Sequence, residues 1–158
     1  MIRLANGEDV AAVGRLVRDA YGHYVARLGK EPGPMLDDYA RRVADGQVWV
    51  LEEEGALAGV LVLEDAAGGA LLLDNLAIAP AAQGKGHGRR LVAHAEAEAR
   101  RRGHSQIVLY THVLMVENVA IYRRLGFEET HRVTEKGYDR VYMAKDLTER
   151  QPPLGADA

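Results

Sequence analysis

The feature that most constrains this chain is an apolar run, residues 70–79, stopped by Pro80 and followed at once by Gln83-Gly84-Lys85-Gly86-His87-Gly88. A run of that length ended by a breaker reads as a buried strand. After the glycines, Leu91, Val92, Ala95 and Ala99 recur at helical spacing, and Gly103 stops the pattern behind Arg100-Arg101-Arg102. The segment is therefore a strand, a glycine-rich turn and a helix. Gly84, Gly86 and Gly88 remove Cβ atoms, are expected at positive φ, and let a ligand approach the backbone closely. Amides at the helix start point outward into a concave anion site, helped by the helix dipole. Lys85, His87, Arg89 and Arg90 add basic side chains beside it. Phosphate binding is the physical inference; the plainer alternative is a glycine-rich turn with no ligand.

Around this junction the chain alternates hairpins with helical crossovers. Residues 2–5 are strand-like, and apolar positions from Val10 to Leu28 mark one helical face. A second helix is expected over 35–44, after the breaker Glu31-Pro32-Gly33-Pro34. Strands follow at 47–53 and 56–64, joined at Glu54-Gly55, then 70–79, the helix after Gly88, and 105–111. A helix over 118–125 and strands at 127–135 and 138–145 complete the pattern. The order β-α-α-β-β-β-α-β-α-β-β predicts an α/β fold: a central mixed sheet flanked by helices. At 158 residues, 47% of them apolar, one domain over residues 1–147 is expected, with residues 148–158 as a mobile tail.

Composition excludes several classes. A formal charge of −3 gives no general electrostatic reason to bind nucleic acid or an anionic membrane. With no cysteine there is no disulfide framework, thiolate zinc site or cysteine nucleophile. The histidines show no metal-ligand spacing, so no metal is expected, and most of them are read as surface residues. Trp49 is read as core, and Glu52-Glu53-Glu54 as a solvated hairpin. The first residues lack the apolar stretch of a signal peptide, and no run reaches the roughly 18 apolar residues that span a bilayer. The expected location is cytoplasmic.

Two phosphate-binding patterns fail on spacing. A P-loop needs a hydroxyl residue after its lysine, and a Rossmann turn needs Gly-x-Gly-x-x-Gly near the start of its unit. Instead, Leu76-Ala77-Ile78-Ala79-Pro80 with Gln83-Gly84-Lys85-Gly86-His87-Gly88 resembles the acetyl-coenzyme A signature of the GNAT family of N-acetyltransferases. Asn118-Val119-Ala120-Ile121-Tyr122-Arg123-Arg124-Leu125-Gly126-Phe127 is similar to that family's second block, and the element order agrees over nearly the whole chain.

The resemblance implies acetyl-CoA as the acyl-donor cosubstrate. Gln83, Gly84, Lys85, Gly86, His87, Gly88 and Arg89 would hold its pyrophosphate through the turn amides. A bulged strand splaying from its neighbour would receive the pantetheine arm on backbone groups of Leu76, Ala77 and Ile78. An N–H near Ile78 would face the thioester oxygen, the placement that stabilises an oxyanion. Tyr122 matches the family tyrosine that protonates the departing thiolate; its other reading is a core aromatic. Asn118 holds cofactor or water, or caps its own helix. Asp74 is either a base toward the amine, directly or through water, or a solvent-exposed aspartate at a strand end.

The acceptor site is expected from Tyr24, Met35 and Tyr39, with Tyr21 and Asp38, and Thr111 and His112 opposite. Helical spacing also puts Tyr21 and Tyr24 on a buried face, where packing explains at least one of them. The implied reaction is direct attack by a primary amine, of a small molecule or of a protein, without an acyl-enzyme. Monomer and homodimer both remain open. So do three alternatives: a silent acyl-CoA-binding regulatory module, the same fold with another acyl donor, and a nucleotide-binding phosphate-loop protein.

Overall fold

The structure, a computed structural model, describes residues 1–147, and the expected mobile tail, residues 148–158, lies outside them. Its elements run β1 (Ile2–Leu4), α1 (Val10–Tyr21), α2 (Tyr24–Leu28), α3 (Tyr39–Ala44), β2 (Val48–Glu53), β3 (Ala56–Ala66), β4 (Ala70–Ile78), α4 (His87–Arg101), β5 (Gln106–His112), α5 (Val116–Arg124), β6 (Glu128–Glu135) and β7 (Tyr138–Asp146). The strands form one seven-stranded sheet in the order β1-β2-β3-β4-β5-β7-β6. Every pair is antiparallel except β4–β5, so the sheet is mixed, as the element order predicts. Among the described residues no helix is long and apolar enough to cross a membrane.

Local chemistry sets the boundaries. Glu54-Gly55 and Lys136-Gly137 both take positive φ at each residue, the two-residue turn whose twist suits a hairpin. The single helix read over 10–28 is broken, because the Gly22 N–H caps α1 on the Arg18 carbonyl and the chain turns before α2. The helix read over 35–44 starts only at Tyr39. Pro32 and Pro34 confine 33–36 to a 3-10 turn, and the Asp38 side chain caps α3 by accepting from the Arg41 N–H.

Each face of the sheet carries its own core. Val13, Leu16, Val17 and Tyr21 of α1 lie over Val48, Val50, Val60 and Val62. On the other face α4 and α5 cover Leu61, Leu63, Leu71, Leu73, Ile107 and Leu109. Two of the histidines are drawn inward: His87 is buried, and the half-buried His94 ring packs 4.3 Å from Trp49. Both lie on α4, whose inward face the apolar count alone did not delimit.

Two irregularities in β4 place the site. In the β3–β4 register Val62 faces Asn75 and Leu63 faces Leu73, leaving Asp74 as the extra residue of a bulge. A bulge shifts the two-residue alternation by one. Leu73 and Leu76 therefore both serve the α4-side core, while Asp74 and Asn75 both turn toward α1 and α3. The second irregularity is at the other edge. Parallel pairing with β5 covers only Ala70 to Leu72, and beyond it the two strands part.

Candidate active site

A cleft of about 680 Å³ opens where β5 leaves β4 and is closed at one end by the glycine turn. Gly84 and Gly86 have φ of +79° and +80°, and a Cβ on either would point into open space. Gly88 departs from expectation. It is the second residue of α4 with helical φ, and its missing Cβ would lie 4.0 Å from the Leu76 side chain. Gln83 N–H reaches the Pro80 carbonyl and Arg90 N–H the Gly86 carbonyl. Between them, the N–H groups of Gly84 to Arg89 donate to no other group among the described residues. Six successive free amides at a helix start are a fitting cradle for a diphosphate. The basic side chains divide around it. Arg89 and His87 line the cleft, Lys85 is exposed outside its lining, and Arg90 pairs with Glu53 at 2.7 Å.

Leu76, Ala77 and Ile78 form the wall beyond the turn. Ala79 N–H bonds the Ala58 carbonyl, so residues 77 and 79 direct their backbone groups toward β3. By the same alternation Leu76 and Ile78 direct theirs to the side that β5 has vacated. The Leu76 carbonyl there accepts from the Tyr21 hydroxyl at 2.9 Å, and the Gln83 amide reaches the Ile78 carbonyl at 3.4 Å. Asn118 is not a cap, because α5 begins two residues earlier, after Met115. Its half-buried side chain has no partner among the described residues and lines this cleft. Tyr24 also lines this cleft and not the acceptor side, where it was expected. Its hydroxyl donates to Glu117 at 3.1 Å, and Arg27 covers its ring.

A second cavity, of about 210 Å³, lies on the other side of Leu76. Tyr122 lines it while packing edge-on to Phe127 with 6% of its surface exposed, so the ring is a core aromatic that also faces the cavity. Burial pushes the phenol pKa up, so it is a protonated donor at neutral pH. Asp74 is not the solvent-exposed residue of its second reading. Its side chain is 13% exposed, with Oδ2 3.0 Å from Arg42 and Oδ1 accepting from the Tyr110 hydroxyl at 3.3 Å. Burial raises its pKa, and the Arg42 charge pulls the other way. His112 lines the cavity too. Its Nδ1 accepts from the Leu114 N–H at 3.1 Å, so the neutral ring carries its proton on Nε2, and burial keeps the ring neutral.

Thr111 also lines this cavity, but Met35, Asp38 and Tyr39 do not. Met35 packs against the α1-side core, and Asp38 is used as a cap. Tyr39 donates to the Pro34 carbonyl and accepts from the Asn75 amide at 3.0 Å, and the Asn75 oxygen accepts from Tyr21 at 2.8 Å. This buried chain fixes the bulge from behind. Sequence reasoning missed Arg42, Tyr110, Tyr138 and Arg140, which complete the wall. Tyr138, Arg140 and Tyr142 alternate along β7 with buried Val141 and Met143, a two-residue signal that marks one polar face.

The family model described as the acetyltransferase (GNAT) domain matches residues 44–129, which span the bulged strand, the amide cradle and α5. The chain belongs to the GNAT acetyltransferase family. It is 30% identical over 129 residues to the N-acetyltransferase YjgM of Escherichia coli K12, covering 77% of each chain. Among solved GNAT-like structures, YncA of Salmonella typhimurium with its cofactor acetyl-CoA superposes with a TM-score of 0.71. It is 26% identical, with 97% of this chain and 96% of that one covered. The PaiA N-acetyltransferase of Thermoplasma acidophilum, in complex with coenzyme A, has a TM-score of 0.77 at 18% identity. Coverage there is 92% of this chain and 98% of that one.

Proposed function

We propose that this GNAT protein is an acetyl-CoA-dependent N-acetyltransferase that acetylates a primary amine by direct attack. The observation carrying this reading is the junction of the two cavities: both are lined by Tyr21, Leu76 and Asn118, with Tyr122 on the acceptor side. A donor held by the free amides of Gly84 to Arg89 and laid along Leu76 to Ile78 would end at that junction. Bound acetyl-CoA would supply an activated acetyl group on a good leaving group.

The protein's own residues account for the rest. The outward N–H of Ile78 is the donor for a developing oxyanion. Tyr122 holds a proton for a departing thiolate, and its buried, uncharged surroundings keep that proton on oxygen until it is needed. Asp74 is the carboxylate that can take the proton of an arriving ammonium. Its raised pKa brings it closer to the operating range than an exposed aspartate would be. A cytoplasmic setting belongs to the same proposal.

Calorimetric titration with acetyl-CoA, coenzyme A and ATP tests the donor side. Saturable binding of both coenzyme forms, with none of ATP, is expected. If neither coenzyme form binds, the acetyltransferase reading fails, and binding of ATP alone would return the chain to the phosphate-loop alternative.

A further inference from the structure

The acceptor cavity is polarised. At one end Asp37, Glu64 and Asp74 converge on Arg42, at 2.9, 2.6 and 3.0 Å, and Gln47 takes a further N–H at 3.0 Å. Four of that guanidinium's five N–H groups are taken, and the carboxylates outnumber it, with Asp37 and Asp74 in the cavity lining. At the other end stands Arg140, whose side chain is 13% exposed and lies over the Tyr110 ring at 4.3 Å. Among the described residues Glu135 alone forms an ion pair with it, at 2.9 Å, which leaves N–H groups of its five-donor fork over. The Nε2–H of neutral His112 adds a donor to this end of the lining. Tyr110 joins the two ends: its hydroxyl is on Asp74 and its ring is under Arg140.

The cavity is also roofed. Lys30 reaches the Gly137 carbonyl and covers the Tyr138 ring, and the Tyr138 hydroxyl donates to the Glu31 carbonyl at 2.7 Å. These contacts strap the 28–34 segment to the β6–β7 turn. A space of about 210 Å³ under such a strap suits a small molecule better than a polypeptide segment.

Resting on the acetyltransferase reading, we infer that the acceptor is a small zwitterion, a free amino acid or close analogue. Its ammonium lies toward Asp74, and its carboxylate is gripped by Arg140. Arg140 is then a specificity residue. A planar carboxylate matches the fork of a guanidinium, and such charge-assisted bonds have no counterpart in an amine lacking the acid group.

The test uses matched pairs with the full chain: leucine with 3-methylbutylamine, phenylalanine with 2-phenylethylamine, and arginine with agmatine. Thiol release from acetyl-CoA gives kcat/KM, and calorimetry in the presence of coenzyme A gives affinity for each compound. In at least one pair the amino acid is expected to exceed its decarboxylated partner by about 10- to 100-fold in both readouts. Arg140→Gln should pull that ratio toward one, and Arg140→Lys should restore part of it. Acetyl-CoA affinity of each variant, measured alongside, reports whether the fold is intact.

Equal or better use of the decarboxylated amine in every pair overturns the inference, as does faster acetylation of a peptide N-terminus than of any free amino acid. So does acetyl-CoA binding with no turnover of the whole panel. Absence of acetyl-CoA binding is a different failure, and it removes the acetyltransferase reading itself.

Discussion

The two cavities that meet at Leu76 are made of different material. The proposed cofactor cleft is built mainly from backbone: six free amides in a row and a strand edge that has lost its neighbour. The proposed acceptor cavity is built from side chains of α1, α3, β4, β5, α5 and β7 and the segment before α3. A backbone site depends on φ, ψ and strand pairing, so many side chains can change around it while its chemistry stays. A side-chain site changes with each substitution. The contrast accounts for a fold shared with solved structures at 18 and 26% identity.

That division can be broken or sharpened by substitution. The largest effect is expected from Tyr122→Phe, which keeps the ring in its core and removes only the proton. Turnover should fall by about 10²–10⁴ with acetyl-CoA affinity retained; wild-type turnover would move the acid role to another group. Asp74→Asn should cost about 10² in kcat/KM. The sign with pH follows from the raised pKa of Asp74: its base form is lost as pH falls, and at a higher pH than for an exposed aspartate. The acidic limb of the wild-type profile should therefore be missing from the variant, and a limb that persists assigns the base elsewhere.

On the backbone side, Gly86→Val places a β-branched residue at φ +80°, a conformation costing about 1–3 kcal/mol. Acetyl-CoA should bind about 10- to 100-fold more weakly, with the maximal rate little altered. Gly88→Ala is the matched control, since that position is already helical and its Cβ meets only Leu76, at 4.0 Å. Equal losses from the two would show that space, not backbone freedom, governs the cradle. The smallest effect is expected from Tyr39→Phe, which leaves the Asn75 amide without its acceptor behind the bulge. Urea unfolding should register about 1–3 kcal/mol; an unchanged midpoint would show that the Tyr21–Asn75–Tyr39 chain does not hold the strand.

The same contrast explains what could be read from the sequence. The strand, turn and helix from Ala70 to Arg101 lie in one continuous stretch, so their glycines and apolar period announce the cleft directly. Asn118 and Tyr122 were found by resemblance, on a helix whose start was misplaced because Met115 caps it without a side-chain bond. Arg42, Tyr110 and Arg140 reach one cavity from α3, β5 and β7, and only the pairing of β5 with β7 brings the last two together. No local pattern carries that. Tyr39 and Met35 were assigned outward because aromatic and thioether side chains suit a ligand and a core equally well.

The Asp74 bulge gives β4 two reading frames, as an inserted letter does to a coded message. Before it, odd positions such as Leu71 and Leu73 belong to the α4 side; after it, even positions such as Leu76 and Ile78 do. Losing that one residue would join Leu73 directly to Asn75 and restore a regular strand, with Asn75 still on the α1 side and Leu76 still on the α4 side. Substitution at position 74 changes the side chain that the bulge presents, whereas deletion there removes the bulge and its carboxylate and keeps the facing of the strand beyond it.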